Sequence, residues 1–213
     1  MITHSGSGFT PSFRSVMFLL LVLSVFVAAA PTTANQATPA AVTAEAAVAQ
    51  VTSDDGVIRF DVSENATNYT WAGAPELVDG FPTVGTPFVT YGYIYPAGTL
   101  TESNGVLEDG SPEFPEKVIG HWSCYGWWIG DPAHAGQTPP WLTTHLFNFG
   151  SDLGAAMLVS EGYSIDEMNV PLERAVVGGS GHFAGVSGTQ IETNLGYNAS
   201  GGINVQYEIH LSE

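Results

Sequence analysis

Short runs of alternating apolar and polar residues, divided by Gly, Pro and Asn, make up the chain from Ser53 onward. No ten-residue stretch of this part shows the period of an amphipathic helix, so the pattern predicts strands throughout. The last strand alternates most cleanly: residues 203, 205, 207, 209 and 211 are apolar and the residues between them are polar. Its apolar face is expected in the core, and its polar face in solvent or in a wet barrel lumen. The predicted strands are 56–62, 66–72, 87–95, 118–129, 142–150, 155–163, 172–177, 182–195 and 203–211.

Turn-forming residues separate these strands most clearly at 96–115, 130–140 and 196–202. Asn-Gly and Asp-Gly pairs in the first of these segments favour tight turns. Eight or nine strands in one domain predict an all-β fold over 53–213, either a closed antiparallel barrel or a sandwich.

The N-terminal part of the chain has a different composition. A largely apolar block at 15–30 follows Arg14, the only Lys or Arg before it, and small residues follow the block. This pattern predicts a signal peptide over 1–34 that is cleaved after Ala34, although an uncleaved anchor helix has a similar pattern. Residues 35–52 are rich in Ala and Thr and lack aromatic residues, which predicts a disordered linker. We therefore expect a secreted or otherwise extracytoplasmic protein with no stable membrane span after cleavage.

Charge and cysteine content narrow the possible functions. The chain has 4 Lys and Arg residues against 21 Asp and Glu residues, a formal net charge of −17. This charge repels phosphate backbones and anionic lipid surfaces, so it argues against nucleic-acid binding. Cys124 is the only cysteine, so no intrachain disulfide forms and packing must stabilise the domain. We expect Cys124 to be a buried, inert thiol.

A glycine-rich segment carries a family resemblance. Gly178, Gly179 and Gly181 allow backbone angles that a Cβ forbids, so the chain can turn sharply before Phe183 returns to the core. No Lys or helix follows, as a phosphate-binding loop would require. The segment Leu172–Thr189, together with 203–211, resembles the C-terminal part of dirigent proteins. The resemblance implies an eight-stranded antiparallel β-barrel of the allene oxide cyclase and dirigent type, often a trimer. Such a barrel binds a small hydrophobic molecule in an apolar cavity and guides its coupling or cyclisation.

The aromatic segment from His121 to Trp128 is a candidate cavity wall. As a strand it places His121, Tyr125 and Trp127 on one face, and Trp122, Cys124 and Trp128 on the other. One interpretation is core packing on one face and an oligomer contact on the other. The functional interpretation makes Tyr125 a catalytic polar group among stacking rings, with His121 and Trp127 binding the ligand.

Two carboxylates are candidates for proton transfer. Glu161 has apolar neighbours on its own face, so a lumenal position would bury it and raise its pKa, whereas the opposite register leaves it in solvent. Glu192, between Gln190 and Asn194 in the alternation, is the second candidate. His145, Phe147 and Phe183 are further candidates for ligand contacts.

Known metal and hydrolase motifs are not found in the sequence. His-x-His, His-Glu-x-x-His and Gly-x-Ser-x-Gly spacings are absent, so no metal and no cofactor is predicted. The leading hypothesis is a barrel that binds a small hydrophobic molecule in its lumen and directs its cyclisation or coupling. The alternative is a non-catalytic extracellular module that binds a ligand or self-assembles.

Overall fold

The computed structural model describes residues 41–73, 75, 77–78, 81–130, 141–165 and 167–212. All of them belong to one compact unit, Gln36–Glu213. Within these ranges the elements are α1 (Ala44–Val51), β1 (Ile58–Trp71), β2 (Leu77–Val78), β3 (Phe81–Pro82), β4 (Pro87–Pro96), a 3₁₀ turn (Pro115–Lys117), β5 (Gly120–Trp128), β6 (Trp141–Phe149), β7 (Ala156–Ser164), β8 (Pro171–Gly181), β9 (Gly188–Tyr197) and β10 (Ile203–Leu211).

Eight long strands form a closed antiparallel barrel in the order β1-β10-β9-β8-β7-β6-β5-β4, and β2 and β3 form a separate hairpin. The sequence predicted either a closed barrel or a sandwich, and the structure confirms the barrel. Two predicted strands, 56–62 and 66–72, are one strand, β1, interrupted by a bulge. Within the described part of the chain, no helix combines the length and apolar composition that a membrane crossing requires.

One half of the barrel interior is filled by aromatic rings. Phe60 stacks on Tyr207 with centroids 5.3 Å apart and meets Phe147 and Phe149 edge-on at 5.0 and 5.2 Å. Phe183 packs against Phe149 at 5.8 Å, so the chain does return to the core after the glycine-rich segment. These rings form a packed floor beneath the open half of the lumen.

The helix α1 covers the floor end of the barrel. Thr43 caps it by accepting a hydrogen bond from the Ala46 amide, and its buried positions Ala47, Val48 and Val51 belong to the barrel core. The predicted disordered linker over 35–52 is therefore wrong for the helical residues. Its alanines and valines recur at helical spacing and find an apolar partner in the barrel, which composition alone did not reveal. The predicted signal peptide 1–34 and residues 35–40 lie outside the described residues.

Gly181 ends β8 in the left-handed region, with φ of 59°. A Cβ at this position would lie 1.9 Å from the Ala155 carbonyl oxygen, whereas one on Gly178 would meet nothing within 4 Å. Of these two positions, only 181 therefore requires a glycine for the turn to form.

Candidate functional site

The half of the lumen away from α1 contains a cavity of about 100 Å³. Its aromatic lining comes from β1, β4, β5, β6 and β10, and β7 and β9 contribute polar side chains. The rings that line it are those of Tyr69, Phe88, Trp122, Trp141 and Tyr207. An enclosed cavity of about 150 Å³ in another protein holds a benzene molecule, whereas this smaller space is open at one side, so it suits one ring or branched group of a molecule that extends toward the opening.

Strand β9 directs Glu192 into this cavity. Gln190, Glu192 and Asn194 alternate along the strand and are all buried, while the residues between them face outward. Ser164 Oγ donates to Glu192 Oε1 at 3.0 Å, and Gln190 Nε2 donates to Oε2 at 3.1 Å. Two neutral donors thus hold both carboxyl oxygens in a fixed orientation.

Burial raises the pKa of Glu192 to about 7, even though Arg174 and the hydrogen bonds act in the opposite direction. Arg174 Nη1 lies 3.7 Å from Glu192 Oε2. A carboxyl with this pKa is present in both protonation states near neutral pH. It can therefore accept and donate a proton without a large energetic penalty for either step.

Arg174 is fully buried behind the cavity wall. Its Nη1 donates to Thr143 Oγ1 at 2.7 Å, to the Tyr163 carbonyl at 3.0 Å and to Ser164 Oγ, and its Nη2 donates to the Thr143 carbonyl at 2.9 Å. These bonds tie β6, β7 and β8 together. Because Ser164 in turn bonds Glu192, Arg174 positions the carboxyl both directly and through Ser164.

His145 and Tyr207 form the deeper polar part of the site. Tyr207 Oη lies 3.5 Å from His145 Nδ1, and Thr143 Oγ1 lies 3.4 Å from His145 Nε2. Burial, with a smaller contribution from Arg174, lowers the pKa of His145 well below its ordinary value, so the imidazole is neutral. His145 Nδ1 lies 3.7 Å from Glu192 Oε2, and because the imidazole is neutral this contact is not an ion pair.

A second carboxyl, Glu64 of β1, lines the cavity and was not singled out in the sequence. Thr90 Oγ1 donates to Glu64 Oε1 at 2.7 Å, and the Ile203 amide donates to Oε2 at 3.1 Å. Burial raises its pKa. Beyond Glu64 a bulge in β1 carries Tyr69 to the cavity, where its ring stacks on Phe88 with centroids 5.2 Å apart.

The structure brings together some of the predicted site residues and separates others. Glu192 and His145 line the cavity, whereas Phe147 and Phe183 lie in the packed floor beneath it. The catalytic role of Glu192 and the ligand contacts of the other three residues stay predictions. Cys124 is buried as expected and also faces the cavity, and burial raises its pKa well above the ordinary value, so it is a neutral thiol.

Four predicted site residues lie on the outer face of the barrel, which corrects the expectation that they line a cavity. On β5 the inward side chains are Trp122, Cys124 and Trp128, which leaves the candidates His121, Tyr125 and Trp127 outside. Tyr125 is 43% exposed and Trp127 44%. On β7 the inward residues are Ala156, Leu158 and Ser160, so Glu161 is exposed, and its Oε1 accepts a hydrogen bond from Thr144 Oγ1 at 3.5 Å.

Among the described residues, no group of three or more His, Cys, Asp and Glu side chains is arranged as a metal site.

The closed barrel of eight antiparallel strands has the dirigent type of fold. Two solved structures share this fold, the pterocarpan synthase dirigent proteins PsPTS1 and GePTS1, each with a TM-score of 0.50. They are 18% and 17% identical to this chain, and the matches cover 73% of it and 92% and 82% of theirs. A pyocyanin demethylase matches with a TM-score of 0.45 at 14% identity, over 73% of this chain and 99% of its own. No protein-family model and no curated protein sequence matches the chain. At these identities the structural similarity establishes the fold alone.

Proposed function

We propose that the chain binds a small hydrophobic molecule in the barrel lumen and directs its cyclisation or coupling. The observation that carries this proposal is the aromatic-walled cavity with Glu192 held in its wall. Apolar walls favour an apolar ligand and exclude water, and a carboxyl that titrates near neutral pH can exchange a proton with it.

Different residues of the cavity would orient the ligand and transfer the proton. The rings of Trp122 and Trp141 bound the space in which a flexible molecule must fold, so they select one approach of its reacting atoms. Glu192 takes a proton from one atom of the bound molecule as that atom attacks a double bond and closes the ring, and it returns the proton to the other atom of the broken π bond. Such a cyclisation by proton transfer is redox-neutral and needs no external oxidant.

Binding in the lumen is tested by filling the cavity. Cys124→Phe places a ring in the space that Cys124 now borders, whereas Ser123→Phe adds the same ring on the outer face of the same strand. We expect thermal-shift titrations with a panel of phenolic, terpenoid and fatty-acid-derived compounds to find ligands for the wild type and for Ser123→Phe. Cys124→Phe should fold and lose them. Equal binding by both variants would place the ligand elsewhere.

Catalysis is tested on any panel compound that the protein converts. Glu192→Gln keeps the size of the side chain but removes the proton exchange, so turnover should fall about a hundredfold or more. Glu161→Gln removes one carboxylate from the outer face and should leave turnover unchanged. The wild-type rate should change with pH near 7, following Glu192. If Glu192→Gln is fully active, the lumen acts by shape alone and the carboxyl has no catalytic role.

Export is a second part of the proposal, supported by the apolar block at 15–30 and the small residues after it. When the full chain is expressed in a secreting host, the released protein should begin at Asn35. A product that stays cell-associated and begins at Met1 would contradict this proposal.

Exposed apolar side chains on the outer face support the proposal that copies of the chain associate. Trp127, Leu142 and Tyr163 lie side by side on β5, β6 and β7 and are all exposed. Contiguous apolar surface of this kind is typical of protein contacts. Light scattering should show an oligomer that Trp127→Lys dissociates and that Leu153→Lys, at an 87% exposed position between β6 and β7, does not. A monomeric wild type would refute the association.

A further inference from the structure

Glu64 is a buried carboxyl without a positively charged partner among the described residues. Arg59 and Lys117 lie outside the lumen, where Arg59 pairs with Glu208 at 3.2 Å and Lys117 lies over an aromatic ring. Arg174 is the one Lys or Arg side chain of the described chain that is buried, and it pairs with Glu192. Neither of the two hydrogen-bond donors to Glu64, a threonine hydroxyl and a backbone amide, is charged.

An ionised carboxylate in such a place is costly, because burial removes its hydration and no opposite charge replaces it. Glu64 nevertheless stands in the wall of a cavity, so a molecule that enters the cavity can supply the missing charge. The pair of donors already fixes both oxygens, so a bound cation would meet an oriented carboxylate.

Aromatic rings line the same cavity, and Phe88 shares the inward face of β4 with Thr90, the donor to Glu64. Tyr69 and Phe88 stack with an interplanar angle of 6°, and Trp141 lines the cavity with them. Burial raises the pKa of Tyr69, and the negative charge of Glu64 adds to the effect. Ring faces attract cations, and aromatic rings beside a carboxylate form a recognition site for ammonium groups.

The charge of the whole chain acts in the same direction. A formal net charge of −17 attracts cations toward the protein and repels anions. We infer that the ligand is a small, largely apolar molecule with one positive charge, such as a protonated or quaternary amine, and that this charge binds between Glu64 and the rings of Tyr69 and Phe88. This inference rests on the proposed function, since it assumes that the lumen is the binding site.

The experiment compares two probes of the same shape. Phenyltrimethylammonium and tert-butylbenzene differ in one atom, a charged nitrogen against a carbon, and neither titrates. Their dissociation constants are measured by tryptophan fluorescence at low salt, within the aqueous solubility of the neutral probe. The proteins are the wild type, Glu64→Gln and Glu161→Gln; the two variants lose the same formal charge, one in the lumen and one on the outer face.

We expect the wild type and Glu161→Gln to bind the cation at least tenfold more tightly than the neutral probe, which corresponds to about 1.4 kcal/mol. Glu64→Gln should lose this preference and still bind tert-butylbenzene within about twofold of the wild type. Wild-type protein that binds both probes equally overturns the inference and leaves the proposed function standing. A preference that survives in Glu64→Gln also overturns it. Binding of neither probe counts against both proposals.

Discussion

The pH dependence of stability offers a quantitative test of the buried acid. Burial raises the pKa of Glu192 from an ordinary value of 4.5 to about 7. The folded protein therefore holds this proton more tightly than the unfolded chain does, and stability must fall as the pH rises between these two values. Ionising the buried carboxyl costs the fold about 3 kcal/mol, and the full cost is reached above pH 7.

The variant Glu192→Gln cannot ionise and should escape this loss. Denaturant unfolding at several pH values between 5 and 8 gives the free energy of unfolding of both proteins. We expect the variant to gain about 2 to 3 kcal/mol relative to the wild type over this range. Asp61, whose pKa burial raises to about 6, and Glu64, whose pKa burial also raises, are present in both proteins, so their contributions cancel in the difference.

The groups that face Glu192 do not disturb the comparison. Burial keeps His145 neutral and raises the pKa of Tyr207 and of Cys124 well above their ordinary values, which already lie above this range. Glu161→Gln, which changes a carboxyl on the outer face, should follow the wild type at every pH. Parallel curves for the wild type and Glu192→Gln, within about 0.5 kcal/mol, would show that Glu192 is not desolvated and would refute the reasoning.

Three further predictions concern the fold and are measured as free energies of unfolding. Val51→Ala should cost about 1 to 2 kcal/mol, because α1 buries this side chain against the barrel, whereas the exposed Gln50→Ala should cost under about 0.5. Gly181→Ala should cost more than about 2 kcal/mol, because its Cβ would collide with a backbone carbonyl, and Gly178→Ala should be nearly neutral. Phe147→Ala should cost about 3 to 5 kcal/mol, since the ring is fully buried in the aromatic floor. The packing described would be contradicted if the two α1 variants, or the two glycine variants, lost similar free energies of unfolding. A Phe147→Ala variant as stable as the wild type would contradict it as well.

The barrel was predictable because strands alternate with period two and the final strand does so cleanly. Val205, Tyr207 and Ile209 are buried as expected. The alternation did not predict the environment of the polar face of β10. Asn204 on this face is buried, but it lies neither in solvent nor in the lumen. Its amide donates at 2.8 Å to the carbonyls of Thr101 and Asn104, because the segment between β4 and β5 covers the outer face there. A contact between residues far apart in sequence leaves no trace in local periodicity.

The site was only partly predictable for a similar reason. Aromatic residues occupy both faces of β5, so the pattern did not show which one faces the lumen. On β7 the outward residues beside Glu161 are largely apolar, the reverse of the usual arrangement, so the pattern did not decide between the lumen and solvent for this carboxyl. The sequence does indicate an inward position for Glu64, because this residue follows Phe60 and Val62 with the same period of two, just beyond the predicted end of the strand. Arg174 likewise shares the inward face of Val176.

A crystal structure of residues 41–213 with a compound selected by thermal shift would show whether the lumen is the ligand site. We expect density for the compound inside the barrel, between Trp122 and Trp141, with a polar atom within hydrogen-bond distance of Glu192. Density confined to the outer face beside Trp127, with the lumen closed by its own side chains, would contradict this expectation.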